Sequence, residues 1–293
     1  MRLLAPSEPD IPETLPADVD RDRMAYHARL TVIAPDVAQA EELVLLNEHA
    51  TGARHGMLLY GPAGTGKTIA LTEIIRHHRI RLRRLPEPHR SASPLVYVHV
   101  PPAATPRMLI VELVRGLGIP FRAGCSSPEL ARLAEEALKD CPPALVLVDE
   151  AHNIRPASPA AASVRDMLDY LCDRVPATFI YAGIGTTDSL TSAVTVAAHR
   201  RLIPVVVHAL IEGEAWRAFI AEVEQALRLR EHTVGTLQHA DLLHRLTAGT
   251  PLRVSYLLGS AAIQAIRDGT ERITGQALTA LFAPWSLQDL NSR

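Results

Sequence analysis

The chain is poor in aromatics and in cysteine, and it has almost no net charge. Phe, Trp and Tyr make up 4% of its 293 residues, so its core has to be built from Leu, Ile, Val and Ala. The three cysteines, Cys125, Cys141 and Cys172, are scattered and odd in number. No C-x-x-C or Cys/His spacing links them, which excludes a disulfide framework or a zinc site and suits thiols in a reducing compartment. A formal net charge of −2 gives no global attraction to nucleic acid, so any such contact needs a local basic surface. No apolar run approaches the roughly 20 residues that span a bilayer. The N-terminus has no basic segment followed by an apolar one, so no secretory signal is expected. These absences point to a cytoplasmic protein. Hydrophobic residues at 47% and charged residues at 21% are ordinary for a globular chain with one large domain and a smaller one.

What stands out is Gly61-Pro62-Ala63-Gly64-Thr65-Gly66-Lys67-Thr68. It follows the apolar run Met57-Leu58-Leu59-Tyr60 and leads into Ile69-Ala70-Leu71-Thr72-Glu73, which reads as a helix start. Strand, glycine loop and helix is the context of a phosphate-binding P-loop. Glycines allow a tight turn whose N–H groups face a phosphate, and the helix dipole adds positive potential there. All eight residues are therefore candidate ATP contacts. Lys67 is placed to reach the β- and γ-phosphates, and Thr68 to offer its hydroxyl to Mg²⁺.

Taken in order, the first twenty residues are rich in Pro, Asp and Glu, which predicts a disordered tail over 1–20. Residues 35–49 read as an amphipathic helix with Val37, Ala40, Leu43, Val44 and Leu46 on one face. Arg76 to Arg84 is the densest basic stretch, either a solvated helix end or a nucleic-acid contact. Leu95 to Val100, Ala144 to Glu150, Thr178 to Gly183 and Leu202 to Val207 read as strands, and Pro204 places the last at a sheet edge. Thr105-Pro106 predicts a capped helix start, and Ser127-Pro128-Glu129 another. After Glu212 the strands stop, and four helices follow over about 216–229, 237–248, 251–268 and 274–282. The expected layout is a tail (1–20), an α/β nucleotide-binding domain (21–208) and a helical lid (209–293).

The second chemical stretch is Ala144-Leu145-Val146-Leu147-Val148-Asp149-Glu150. Two acids at the carboxyl end of a buried strand lie where open α/β sheets bind ligands. Asp149 is expected to hold Mg²⁺ through a water molecule, opposite Thr68, and Glu150 to polarise the attacking water. His152 and Asn153 are as readily structural as catalytic. Thr186, beyond the next strand, is either a γ-phosphate sensor or a helix N-cap. Arg200 or Arg201 reads as an arginine finger acting on a neighbouring subunit, or as a loop-closing pair. Arg253, in Gly249-Thr250-Pro251-Leu252-Arg253, reads as a second sensor that couples the phosphates to lid movement, or as an ordinary helix-start Arg.

Together these motifs resemble the AAA+ ATPases, and more narrowly the TniB/TnsC regulators of DDE transposases. The resemblance runs from about Arg21 to the C-terminus. It is carried by Arg23-Met24-Ala25-Tyr26-His27, the P-loop, Val148-Asp149-Glu150-Ala151-His152-Asn153, Gly185-Thr186 and Trp216 with Gly249-Thr250-Pro251-Leu252-Arg253. The family usually follows its finger Arg with Phe, whereas here Arg200 is followed by Arg201-Leu202. The resemblance implies an AAA+ P-loop NTPase fold: a doubly wound parallel five-stranded sheet with a small C-terminal all-α lid. It implies slow, assembly-coupled ATP hydrolysis with Mg²⁺ and a homo-oligomeric ring or filament on double-stranded DNA. The implied partners are a DDE transposase and a TniQ-like adaptor, with no membrane. Pore-facing contacts to DNA phosphates would fall in the loop 101–107, where Thr105 and Arg107 are the candidates.

Overall fold

The computed structural model describes residues 3–4, 16–32, 36–48, 56–83, 95–140, 145–154, 166, 177–185, 202–230 and 237–290. The chain divides into two compact units. One comprises Asp36–Ala63 and Lys67–Val207, the other Met1–Pro35, Gly64–Gly66 and His208–Arg293.

The first unit is built on five strands: β1 (Gly56–Gly61), β2 (Leu95–His99), β3 (Leu145–Asp149), β4 (Thr178–Ile184) and β5 (Leu202–Val206). They form one sheet in the order β2-β3-β4-β1-β5, and every pairing is parallel. The expected parallel five-stranded sheet is therefore present. Parallel strands interior to a sheet are covered on both faces, and all five residues of β3 are buried. Pro204 has no N–H to donate, and among the described residues β5 is an edge strand paired only with β1. The opposite edge is β2. The sequence predicts β2 as a buried strand, yet its residues alternate, with Val96 and Val98 buried and Tyr97 and His99 exposed. An edge strand has a covered face and an open one, so its side chains separate with period two.

Helices α2 (Asp36–Glu48), α3 (Lys67–Arg83), α4 (Pro106–Gly116) and α5 (Ser127–Asp140) complete this unit among the described residues. Val37, Ala40 and Val44 of α2 are buried as the periodicity requires, but Leu46 is 63% exposed. The basic stretch is partly turned inward. Arg76 holds Glu73, which is buried, with Nη2 at 2.7 Å from Oε2, and His77 Nδ1 lies 2.8 Å from Glu41 on α2. Arg81 and Arg83 stay in the last turn of α3, where cations suit the dipole. Arg84 lies outside the described residues. Thr105 caps α4, accepting from the Met108 N–H at 3.3 Å, with Pro106 at the first helical position.

The second unit contains α1 (Pro16–Ala28), α6 (Glu214–Ala226), α7 (Ala240–Thr247), α8 (Pro251–Arg267) and α9 (Gly275–Leu290). Trp216 anchors its core and donates its indole N–H to the Ala240 carbonyl at 2.8 Å. Two expectations change here. The stretch expected to be a loose tail through residue 20 is helical from Pro16, and Leu3–Leu4 pairs antiparallel with Thr31–Val32. Residues 21–35, assigned above to the α/β domain, cluster instead with the C-terminal helices. Side chains on α1 explain this. Arg23 forks onto Glu271, with Nη1 2.9 Å from Oε1, and bonds the Arg228 carbonyl at 2.6 Å. Tyr26 donates its hydroxyl to the Ala226 carbonyl at 3.1 Å. Gly259 on α8 lets the α1 backbone close in, because a Cβ there would stand 2.6 Å from the His27 carbonyl oxygen.

His27 is 1% exposed, and its imidazole pKa is lowered to about 4. Burial is the main cause, followed by the positive charges of Arg23 and Arg228. The unfolded chain therefore binds this proton more tightly, and the neutral ring's contribution to stability is lost as pH falls from the unfolded value of 6.5 through about 4. The shift corresponds to about 3 kcal/mol. In urea unfolding, wild type should lose roughly that much more stability than His27→Leu between pH 7 and pH 4. Equal losses would remove His27 as the acid-sensitive group.

Candidate nucleotide-binding site

The loop between β1 and α3 is shaped by its glycines. At Gly61, φ is +152°, and a Cβ would stand 2.1 Å from the Val207 carbonyl oxygen. Only glycine fits, because that oxygen belongs to rigid backbone following β5. Gly64 (φ 76°) and Gly66 (φ 100°) are also left-handed and turn the chain back into α3. Lys67 is the first residue of α3 and is buried. Its ammonium donates to the carbonyls of Gly61 at 2.9 Å and Pro62 at 2.6 Å. Desolvation lowers its pKa, opposed by the negative charges of Glu150 and Asp149. The loop thus carries a desolvated cation at its base, with helix α3 starting behind it.

Opposite stand the two acids at the end of β3. Asp149 is 3% exposed, and both oxygens of its carboxylate accept hydrogen bonds. Oδ1 accepts from the Glu150 N–H at 2.9 Å, while Oδ2 accepts from Thr68 Oγ1 at 3.1 Å and from the Tyr97 hydroxyl at 2.8 Å. A hydroxyl beside a carboxylate, 81 residues apart in sequence, supplies the hard oxygen donors that Mg²⁺ takes, so the residues present fit that ion. Glu150 lies in the left-handed region at φ 58°, ψ 34°. That conformation is costly for a residue with a side chain, by on the order of 1 kcal/mol, and such strain gathers at functional sites. It ends the strand sharply and starts the short 3₁₀ turn Ala151–Asn153.

That turn is pinned on both sides. Asn153 donates its amide to the Val100 carbonyl at 2.8 Å. His152 Nδ1 lies 3.2 Å from Glu150 Oε2 and 3.3 Å from the Ile184 N–H at the end of β4. One ring nitrogen cannot donate to the carboxylate and accept from the amide together, so His152 serves one of them at a time. Of the two residues left open between structural and catalytic roles, Asn153 is engaged with backbone and His152 touches the acid.

Of the other site residues named from sequence, Arg253 is half-buried at the third position of α8. The amide of its neighbour Leu252 donates to the Gly64 carbonyl at 3.2 Å, within the unit that contains Gly64–Gly66. Thr186, Arg200 and Arg201 lie outside the described residues. The Thr105 hydroxyl accepts the capping bond and keeps its own proton, whereas Arg107 ties α4 to the next loop through the carbonyls of Cys125 at 2.6 Å and Ala123 at 3.3 Å. Tyr97 was not singled out from sequence. Its place beside Asp149 comes from β2–β3 pairing, which sets Tyr97 opposite Leu147 and His99 opposite Asp149.

The family model of the bacterial TniB protein matches residues 17–207. No curated protein matches the chain. Among solved structures, the ADP form of the Aeropyrum pernix ORC2 protein is similar at 16% identity and a TM-score of 0.64, over 84% of this chain and 67% of that one. The Aeropyrum pernix ORC1 protein in complex with DNA aligns at 17% identity and a TM-score of 0.60, over 87% of this chain and 66% of that one. Cdc6p from Pyrobaculum aerophilum aligns at 18% identity and a TM-score of 0.59, over 92% and 66%. The chain spans about two thirds of the length of these relatives, and at such identities the likeness is one of fold. No helix among the described residues is long and apolar enough to cross a membrane.

Gly61→Ala should destabilise the chain by about 3 kcal/mol or more, from the clash with Val207 and the strained backbone together. Gly124→Ala, where a Cβ meets nothing within 4 Å, should be near neutral. Denaturant midpoints for the two variants make the comparison.

Proposed function

The chain belongs to the bacterial TniB protein family, and we propose that it is an ATPase that assembles on duplex DNA and regulates a DDE transposase. Its fold is that of the AAA+ ATPases. The observation that supports the reading most directly is the convergence of Lys67, Thr68, Asp149 and Glu150, brought together by the bond from Thr68 to Asp149 at 3.1 Å.

In this reading ATP occupies the loop Gly61–Thr68. Lys67 exchanges its bonds to the Gly61 and Pro62 carbonyls for the β- and γ-phosphates, and its desolvation strengthens that contact. Thr68 and Asp149 would hold Mg²⁺, which when bound neutralises phosphate charge. Glu150 aligns and polarises the attacking water. Thr186 senses the γ-phosphate, Arg200 or Arg201 acts as a finger on the neighbouring subunit, and Arg253 couples the phosphates to the lid. DNA phosphates are met by the segment around Thr105 and Arg107, with Thr105 still able to donate its hydroxyl proton. Such contacts are weak singly, and a chain with net charge −2 gains affinity by summing them over an oligomer. A TniQ-like adaptor would complete the assembly.

Lys67→Ala removes charge-assisted bonds and should lower ATP affinity on the order of 10- to 100-fold. ATP-dependent oligomers and duplex binding should be lost with it, as read by light scattering and fluorescence anisotropy. Assembly and DNA binding that are equal with and without nucleotide would sink the proposed mechanism. Glu150→Gln should still bind ATP and DNA but hydrolyse at least about 100-fold more slowly. Unchanged turnover would remove Glu150 as the water-polarising acid.

A further inference from the structure

The Asp149 carboxylate is held by three donors, and one of them lies outside every motif of the nucleotide site. Tyr97 sits on edge strand β2 and donates its hydroxyl to Oδ2 at 2.8 Å, closer than the 3.1 Å of Thr68 on the same oxygen. A carboxylate oxygen accepts two such bonds. With Oδ1 taken by the Glu150 N–H, the group has one orientation. The consequence reaches Thr68. A hydroxyl that gives its proton to Oδ2 keeps its lone pairs for a cation, so the orientation of Asp149 decides where the Thr68 oxygen points.

We propose that Tyr97 is a positioning residue of the metal site, holding Asp149 so that Thr68 presents its oxygen to Mg²⁺. The inference rests on reading Thr68 and Asp149 as the Mg²⁺-holding pair. Thr68 and Glu150 belong to segments that ATP would engage, whereas Tyr97 belongs to a strand. Its hydroxyl is placed by the β2–β3 register, in which Tyr97 pairs with Leu147, two residues before Asp149. Residues two apart on a strand share a face, so Tyr97 and Asp149 stand on the same side of the sheet. Partners of this kind orient metal-binding groups, and their loss typically costs about 10- to 100-fold in metal affinity or activity.

Tyr97→Phe keeps the ring and removes only the donor. Binding of a fluorescent ATP analogue to the full chain, titrated with Mg²⁺, gives the half-saturating Mg²⁺ concentration, and the same measurement in EDTA gives the metal-free nucleotide affinity. In Tyr97→Phe the Mg²⁺ requirement should rise about tenfold or more, with the EDTA affinity within about twofold of wild type. Asp149→Asn should also raise the Mg²⁺ requirement. An unchanged requirement in Tyr97→Phe, with Asp149→Asn raised, overturns the role of Tyr97 alone. An unchanged requirement in both overturns the metal assignment, and the role of Tyr97 falls with it. A rise in Tyr97→Phe matched by an equal loss of affinity in EDTA marks general damage to the site and also overturns the proposal.

Discussion

The hydrogen bond from Thr68 to Asp149 is the contact on which the candidate site depends. It joins the first turn of α3 to the end of β3 and so sets the phosphate loop against the acids. A bond of this kind contributes only about 1–3 kcal/mol. What makes it reliable is that neither partner is free to move. Lys67 and Thr68 follow a loop whose first glycine lies against the Val207 carbonyl, and Asp149 ends a strand buried along its whole length. The sheet supplies the geometry, and the hydrogen bonds select one orientation within it.

Around that contact, several polar groups converge on the two acids. Asp149 receives the backbone of Glu150, the hydroxyl of Thr68 and the hydroxyl of Tyr97. Glu150, left-handed, turns its carboxylate toward His152, whose ring also faces the end of β4. His152 thus stands between the acid expected to activate water and the end of β4, and serves one of them at a time. Asp149 is the buried member of this set, and a buried carboxylate depends on its donors, which is why loss of a single donor is felt there.

The helical unit follows a different logic. Its core is aliphatic around Trp216, and α1 joins it through a fork of Arg23 on Glu271 and a close backbone approach at Gly259. The Arg23-Met24-Ala25-Tyr26-His27 segment that carries part of the family resemblance is therefore structural in the described chain. Arg23 and Tyr26 bond the end of α6 and the residues after it, and His27 is enclosed.

Much of this was legible in the residues. The P-loop, the Asp-Glu pair, the edge position of the Pro204 strand and the capped start at Thr105 all follow from local rules: a missing N–H, a fixed φ, a glycine turn, a hydroxyl acceptor. The alternation of β2, the exposure of Leu46, the attachment of α1 to the distant helices and the place of Tyr97 were not legible. Each depends on a neighbour far along the chain, such as Tyr97 on Asp149 or Arg23 on Glu271, and no local pattern encodes a partner 52 or 248 residues away. The sequence by itself determined which chemistry the loop and the acids can perform, because bond-forming groups and backbone freedom are local properties. Tertiary structure alone decided which groups steady them, because strand register and helix packing choose among many chemically equivalent side chains.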